Sequence, residues 1–281
     1  MTDARVTHGE STILSADGTK LALQQFSGDG PVLAEVLVIH GYADHGGRYR
    51  EISEHLTRAG LRVTTLDLRG HGRSEGQRGY VASFLDYHAD VSAALATLDV
   101  ARPHFILAHS MGAMLVLDYL AQNAPKLAGL IVTNPFLAMA EAPPKAKLLV
   151  GKAAAFLAPR LSLPSGLAPA SISRDPAMVE AYRKDPLVFT TANAAWFREC
   201  GFAQARARAL KTLPMPLFFA YSLSDPIAAG EASRALAREL QTPDKKVVER
   251  DGLHEILNET NRAELHDMIR DWILAHARSG S

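Results

Sequence analysis

Short apolar runs recur along the chain, and most of them stop at a reactive polar residue. Residues 36–39 lead into His40-Gly41, 62–66 into Asp67, 105–108 into Ser110, and 130–132 toward Asn134-Pro135. The run at 217–221 leads toward Asp225, and a weaker one at 246–249 precedes His254. Several of these runs are apolar at consecutive positions, the pattern of parallel strands covered on both faces. Helical patterns separate them at 49–59, 84–98, 111–122, 230–240 and 262–276. Ahead of the series, 11–15 and 20–26 alternate apolar and polar residues around Asp17-Gly18, which predicts a hairpin. Alternating strands and helices predict an α/β fold with a mostly parallel central sheet flanked by helices.

Residues 136–208 break this rhythm. The stretch lacks a clear strand and is rich in Ala, Leu and Pro. It predicts helices at 145–157, 177–184 and 194–210 and a proline-containing loop at 161–169. An insertion of this size between two strands is most simply a helical lid over the C-terminal strand ends. The predicted organisation is a core in two parts, 1–135 and 209–281, with the cap 136–208 inserted before the penultimate strand.

Composition narrows the function. The 281 residues carry 30 Lys plus Arg against 30 Asp plus Glu, which argues against a general nucleic-acid binder. A single cysteine, Cys200, excludes an internal disulfide and, with no nucleophile motif around it, reads as a small apolar filler. The N-terminus lacks the apolar core of a signal peptide, and no run reaches the ~20 residues of a membrane span. The expectation is a cytoplasmic protein, with transient contact at a membrane surface left open and oligomeric state unspecified. Eleven histidines show no H-E-x-x-H, H-x-x-E-H or paired-cysteine spacing. Gly70-His71-Gly72 lacks the third glycine of a nucleotide fingerprint. No metal or cofactor is expected.

In a parallel sheet, reactive residues gather beyond the C-terminal strand ends. Ala108-His109-Ser110-Met111-Gly112 lies between a strand and a helix and fits the G-x-S-x-G nucleophile elbow, with Ala108 in place of the first glycine. The rival reading is a serine that caps the following helix. A serine hydroxyl needs a base, and the base an orienting carboxylate. An elbow of this type takes its partners in the order Ser, Asp or Glu, His. Asp225 and His254 stand at strand ends in that order. Asp251 competes as the acid, but it shares the loop of His254, and a separate strand end offers the better approach. The backbone N–H groups of Met111 and of Tyr42, in the glycine-containing loop after residue 39, are the candidate oxyanion donors.

At these residues the chain resembles the monoacylglycerol lipase and lysophospholipase group of α/β-hydrolases, over nearly its whole length. His40-Gly41-Tyr42-Ala43-Asp44-His45-Gly46-Gly47-Arg48-Tyr49 resembles the group's H-G-x-x-E-H-x-x-R-Y segment, with Asp44 where Glu is usual. Residues 67–76 resemble D-x-R-G-H-G-x-S-x-G, Asp185-Pro186-Leu187 the D-P-L segment of the cap, and 254–259 the H-E-x-x-N-E segment. The resemblance implies an α/β-hydrolase fold, the triad Ser110, Asp225 and His254, and Tyr42 and Met111 as oxyanion donors. The elbow departs from G-H-S-M-G-G, with Ala108 and Ala113 replacing two glycines.

The expected reaction is ester hydrolysis through an acyl-enzyme on Ser110. Apolar residues of the lid, Leu148-Leu149-Val150 and Phe156-Leu157, suit an acyl chain, although they could equally pack the lid onto the core. Monoacylglycerols or lysophospholipids are the substrates the resemblance implies. Two alternatives remain: a peptidase or amidase on the same fold, with Glu141, Glu180 or Glu199 binding an amine, and a non-catalytic binding protein.

Overall fold

Alternate residues of a single strand serve two different cores. In the strand Ala34–Ile39, Val36 and Val38 pack into one and Leu37 and Ile39 into the other, all fully buried. The same division runs through Phe105 and Leu107 against Ile106 and Ala108, and through Phe218 and Ala220 against Leu217 and Phe219. Consecutive apolar residues in the sequence therefore mean a sheet covered on both sides.

The computed structural model describes residues 5–141, 151 and 153–278. In chain order the elements are β1 (Val6–Leu14), β2 (Lys20–Gly28), β3 (Ala34–Ile39), α1 (Arg50–Arg58), β4 (Leu61–Leu66), α2 (Phe84–Leu95), β5 (His104–His109), α3 (Met111–Leu120) and β6 (Gly129–Thr133). There follow β7 (Ser162–Pro164), α4 (Pro176–Lys184), β8 (Thr191–Asn193), α5 (Ala194–Ala209), β9 (Leu217–Tyr221), α6 (Gly230–Glu239), β10 (Lys245–Glu249) and α7 (Arg262–Arg278). The main sheet has the order β1-β2-β4-β3-β5-β6-β9-β10. Strands from β4 to β10 run parallel to their neighbours, and β2 is antiparallel to both β1 and β4. Ile52 and Leu56 of α1 join Leu265, Ile269 and Ile273 of α7 on one face. Phe84 and Val91 of α2, all of α3's apolar residues to Tyr119, and Leu236 of α6 cover the other.

The chain leaves β3 toward β4 on one side and reaches β5 on the other, so the sheet's switch point lies between β3 and β5. The crevice at such a point is where open α/β sheets place ligands. Helix α3 starts there and is buried on every side, because α5 packs on it from the inserted segment. Arg206 of α5 pairs with the fully buried Asp118 of α3 at 2.5 and 2.8 Å, and His88 of α2 meets the same carboxylate at 3.0 Å.

Two local features differ from the pattern-based expectation. Strand β1 is longer than the alternation at 11–15 indicates: it pairs residue for residue with β2 from Val6 to Leu14, yet is largely exposed. Backbone pairing defines it, and an edge strand with so little burial leaves no apolar signature. The inserted segment contains a three-residue antiparallel pair, Ser162–Pro164 with Thr191–Asn193, too short and too proline-rich to be legible as strands. Of the predicted helix at 145–157, the described residues 151 and 153–157 are helical; the others, Leu148-Leu149-Val150 among them, lie outside the described residues. No helix among the described residues is long and apolar enough to cross a membrane.

Close packing of α3 on β3 depends on Gly112. A Cβ there would lie 2.6 Å from the Ile39 carbonyl oxygen and nearer still to that of His40. Overpacking of this kind costs about 1–3 kcal/mol. We expect Gly112→Ala to melt several degrees lower, at roughly 2–4 °C per kcal/mol. A melting temperature unchanged in scanning calorimetry would show that α3 can shift freely off β3.

Candidate active site

Ser110 occupies the turn between β5 and α3 with φ 54° and ψ −119°. A non-glycine residue there is strained and must be held by its surroundings. Its N–H donates to the Thr133 carbonyl at 3.0 Å, and its carbonyl accepts from Met114 and Phe136, each at 3.0 Å. The side chain makes no capping bond to α3, which removes the reading of Ser110 as a helix cap. Its hydroxyl instead faces His254, with Nε2 2.7 Å from Oγ. On the other side of the ring, Nδ1 lies 2.7 Å from Asp225 Oδ2. The remaining carboxylate oxygen, Asp225 Oδ1, accepts the Ile227 and Ala228 N–H groups at 2.8 and 3.0 Å. Asp225 therefore has a fixed orientation, and His254 must donate Nδ1–H to it, leaving Nε2 for the serine. Asp251 stays outside the cluster, exposed and paired with Arg174 at 3.0 Å.

Three further contacts hold the loops that carry these groups. Asn134, at the end of β6 with φ 39°, accepts the Ser222 N–H at 2.7 Å and donates to the Leu253 and His254 carbonyls at 3.1 and 2.6 Å. Ser222 Oγ donates to the Gly252 carbonyl at 2.5 Å. The fully buried Glu259 accepts the Leu253 N–H at 2.8 Å. Sequence reasoning marked Asn134 only as a strand end. The signal that could have singled it out is that asparagine tolerates the left-handed conformation required there.

The loop after β3 approaches Ser110 through Gly41, where an added Cβ would sit 3.2 Å from Ser110 Cβ. Leu68 N–H donates to His40 Nε2 at 3.0 Å, so Nδ1 carries the proton, donated to the Gly41 carbonyl at 2.6 Å. Burial keeps this imidazole neutral by lowering its pKa. Tyr42 and Met111 line the same cavity as Ser110 and His254. Neither backbone N–H has an acceptor among the described residues.

A charged cluster sits beside the triad. Arg48 forms a two-pronged pair with Glu255 at 2.6 and 2.7 Å and reaches Asp44 at 3.1 Å. Tyr49 donates its hydroxyl to Asp44 at 3.0 Å, and Asn258 donates to Glu255 at 2.9 Å. Burial alone would raise the Asp44 carboxyl; the Arg48 guanidinium and the His45 backbone N–H donated to it instead hold it well below the usual range. The segment at 67–76 braces this loop from behind. Asp67 accepts the Gly46 and Arg73 N–H groups at 2.7 and 2.8 Å, and Arg69 is anchored on the buried Asp90.

The cavity over Ser110 has a volume of about 400 Å³. Met139, Leu163, Leu167, Ile172, Trp196 and Phe197 give it apolar walls, all of them from residues 136–208. Cys200 lies buried behind it against Met114, its thiol pushed up by burial.

Strand order and a left-handed serine at the turn after β5 define an α/β-hydrolase. Residues 30–261 match the Hydrolase_4 family, described as serine aminopeptidase, S33, and the chain belongs to that family. It is 30% identical over 277 residues to an uncharacterized abhydrolase domain-containing protein of Dictyostelium discoideum, spanning 95% of this chain and 29% of that longer protein. It is 28% identical to a monoacylglycerol lipase of Mycolicibacterium smegmatis, over 96% of this chain and 98% of the relative. The crystal structure of Paleococcus ferrophilus monoacylglycerol lipase matches with a TM-score of 0.82 at 27% identity, covering 96% of this chain and 99% of that one.

Buried imidazoles make the fold acid-labile. Burial lowers His71 to about 3, and His109 and His266 to about 4, against ~6.5 in an unfolded chain. Between those values the unfolded state binds the extra protons, so their contribution is complete above pH ~6.5 and is lost as pH falls toward 4. At about 1.4 kcal/mol for each pH unit separating the two states, the loss reaches several kcal/mol. A thermal melting series should be level near neutrality and descend steadily below pH ~6.5. A melting temperature constant down to pH 4 would contradict neutral burial of these rings.

Proposed function

We infer that the protein is a serine carboxylesterase acting on single-chain lipid esters, monoacylglycerols foremost. The observation that carries this reading is the chain Asp225–His254–Ser110, at 2.7 and 2.7 Å, opening on an apolar cavity. Ser110 Oγ attacks the ester carbonyl while His254 Nε2 takes its proton. The carbonyl oxygen becomes an oxyanion held by the Tyr42 and Met111 N–H groups. The alcohol leaves with the proton from His254. Water, deprotonated by the same imidazole, then releases the acid from Ser110. Residues 136–208 act as the cap whose walls receive the acyl chain. The lipase relatives at similar full-length coverage support this substrate class.

The family's printed description favours a second reading, an aminopeptidase. Recognition of a substrate amine calls for an unpaired carboxylate in the cavity. Asp44 and Glu255 do line it, but Arg48 already engages both. Glu180 is paired with Arg183 and Lys184, Glu199 with Arg198, and neither they nor Glu141 border the cavity. Both lining carboxylates already have donors, Arg48 and Tyr49 for Asp44, and Arg48 and Asn258 for Glu255.

Ser110→Ala should lose esterase activity by several orders of magnitude and no longer react with a fluorophosphonate probe. Full activity in that variant would sink the mechanism, and a wild-type protein unreactive to the probe would favour a non-catalytic binder. Across monoacylglycerols of increasing chain length, each methylene buried in the cavity adds ~0.8 kcal/mol, so kcat/KM should climb about fourfold per carbon and then level. A flat profile, with faster turnover of aminoacyl amides, would favour the peptidase.

The cap also exposes Phe156 and Leu157, at 82% and 78%. Exposed apolar side chains beside a lipid site support transient contact with a lipid surface. Replacing both with serine should reduce sedimentation with phosphatidylglycerol vesicles while leaving turnover of a water-soluble ester intact. Equal sedimentation of the two forms would remove that contact.

A further inference from the structure

The geometry points to Trp196 as a positioning residue through which the cap holds both oxyanion donors, so that seating of the cap sets catalytic geometry as well as access. This rests on the roles given above to Tyr42 and Met111. The Trp196 indole N–H donates to Met111 Sδ at 3.1 Å. Its ring lies on that of Tyr42, with centroids 3.8 Å apart and planes inclined by 30°. A second link runs beside the first: the Asn193 backbone N–H donates to the Tyr42 hydroxyl at 3.1 Å, and that hydroxyl donates to the Gly79 carbonyl at 3.2 Å. Asn193 is also the N-cap of α5, accepting the Ala195 and Trp196 N–H groups at 2.9 and 3.3 Å. The cap turn that touches Tyr42 is therefore the turn that orients Trp196.

The Tyr42 backbone needs such an anchor. Gly41 precedes it, and Ala43 follows at φ 59°, a conformation that persists only where the surroundings over-determine it. Phe189 stands edge-on to the Tyr42 ring at 5.4 Å, and His71 does the same from the core side at 5.4 Å. An added Cβ on Gly79 would run into the Tyr42 hydroxyl. The side chain is flanked by Trp196 and Phe189 of the cap and by His71 of the core, and the N–H aimed at the oxyanion is carried on the same residue. Oxyanion donors act only when fixed in advance at hydrogen-bond distance from the developing charge.

The alternative is that Trp196 is only a wall of the acyl cavity. A two-carbon acyl group separates the two, because it makes little use of that wall. Trp196→Phe removes the indole donor, and Tyr42→Phe removes the hydroxyl links while keeping the backbone N–H. Each should lower kcat on the order of tenfold for both p-nitrophenyl acetate and a long-chain monoacylglycerol. That is less than the hundredfold or more that follows loss of an oxyanion donor outright. Affinity for a trifluoromethyl ketone, which forms an oxyanion on the serine, should fall by the same factor, with KM for the acetate unchanged. A loss confined to KM for the long-chain substrate would overturn the proposal. Should Trp196→Phe fail to fold, Tyr42→Phe carries the same readouts. Ser110→Ala run in parallel keeps the two questions apart. If it stays active, the underlying mechanism falls; if it is dead while both phenylalanine variants match the parent, only the role of Trp196 falls.

Discussion

The left-handed turn at Ser110 is the constraint around which the rest of the molecule is arranged. A non-glycine residue at φ 54° and ψ −119° costs about 1–3 kcal/mol relative to an ordinary conformation. It also sets the hydroxyl against His254 where α3 begins. The cost is met by packing. α3 is buried on all sides, its approach to β3 is made possible by Gly112, and the Ser110 backbone bonds to Thr133, Met114 and Phe136. With that turn fixed, the remaining groups need only be brought to it.

They arrive on loops with no common element. Asp225 follows β9 and His254 follows β10, yet the two are registered through a residue on neither strand, Asn134, which grips both loops with one carboxamide. Neutral hydrogen bonds of this kind contribute only ~1 kcal/mol each to stability. Their consequence is geometric, since the imidazole must serve Asp225 and Ser110 at once. Glu259 and the Ser222–Gly252 bond repeat the device from the other end of the His254 loop.

How much of this was legible follows from what burial does to sequence. The central strands announce themselves because both faces are apolar, and Ser110, Asp225 and His254 follow from where those strands end. The structure brings these three together as the strand-end pattern indicates. β1 was truncated because its residues face solvent, and β7 and β8 escaped because two or three backbone bonds carry no side-chain signature. Asn134 and Trp196 were unreadable for another reason: their partners lie 88 to 120 residues and 85 to 154 residues away in sequence. Ala108 departs from the elbow motif without backbone strain. It lies within β5, opposite Ile39 and Val132, and is absent from the positive-φ residues. The first glycine of the elbow motif is therefore a matter of side-chain space, whereas Gly112, under two carbonyl oxygens, is a matter of backbone approach.

The charged cluster beside the triad poses a question of energetics that the apolar cavity sharpens. Desolvating Arg48, Asp44 and Glu255 opposes folding, and buried ion pairs often add nothing over well-packed apolar residues. Stability alone does not account for their presence. Arg48 lies at the end of the loop that begins with Gly41 and Tyr42, while Glu255 is the residue after His254. Their two-pronged pairing ties the loop that carries Tyr42 to the loop that carries His254. A planar guanidinium against a carboxylate fixes direction as well as distance, which an apolar contact would not. The cluster thus does for the two sides of the crevice what Asn134 does for the loops of Asp225 and His254. Arg48, Tyr49 and Asn258 between them supply donors to both carboxylates, so the cavity wall remains compatible with an uncharged ester.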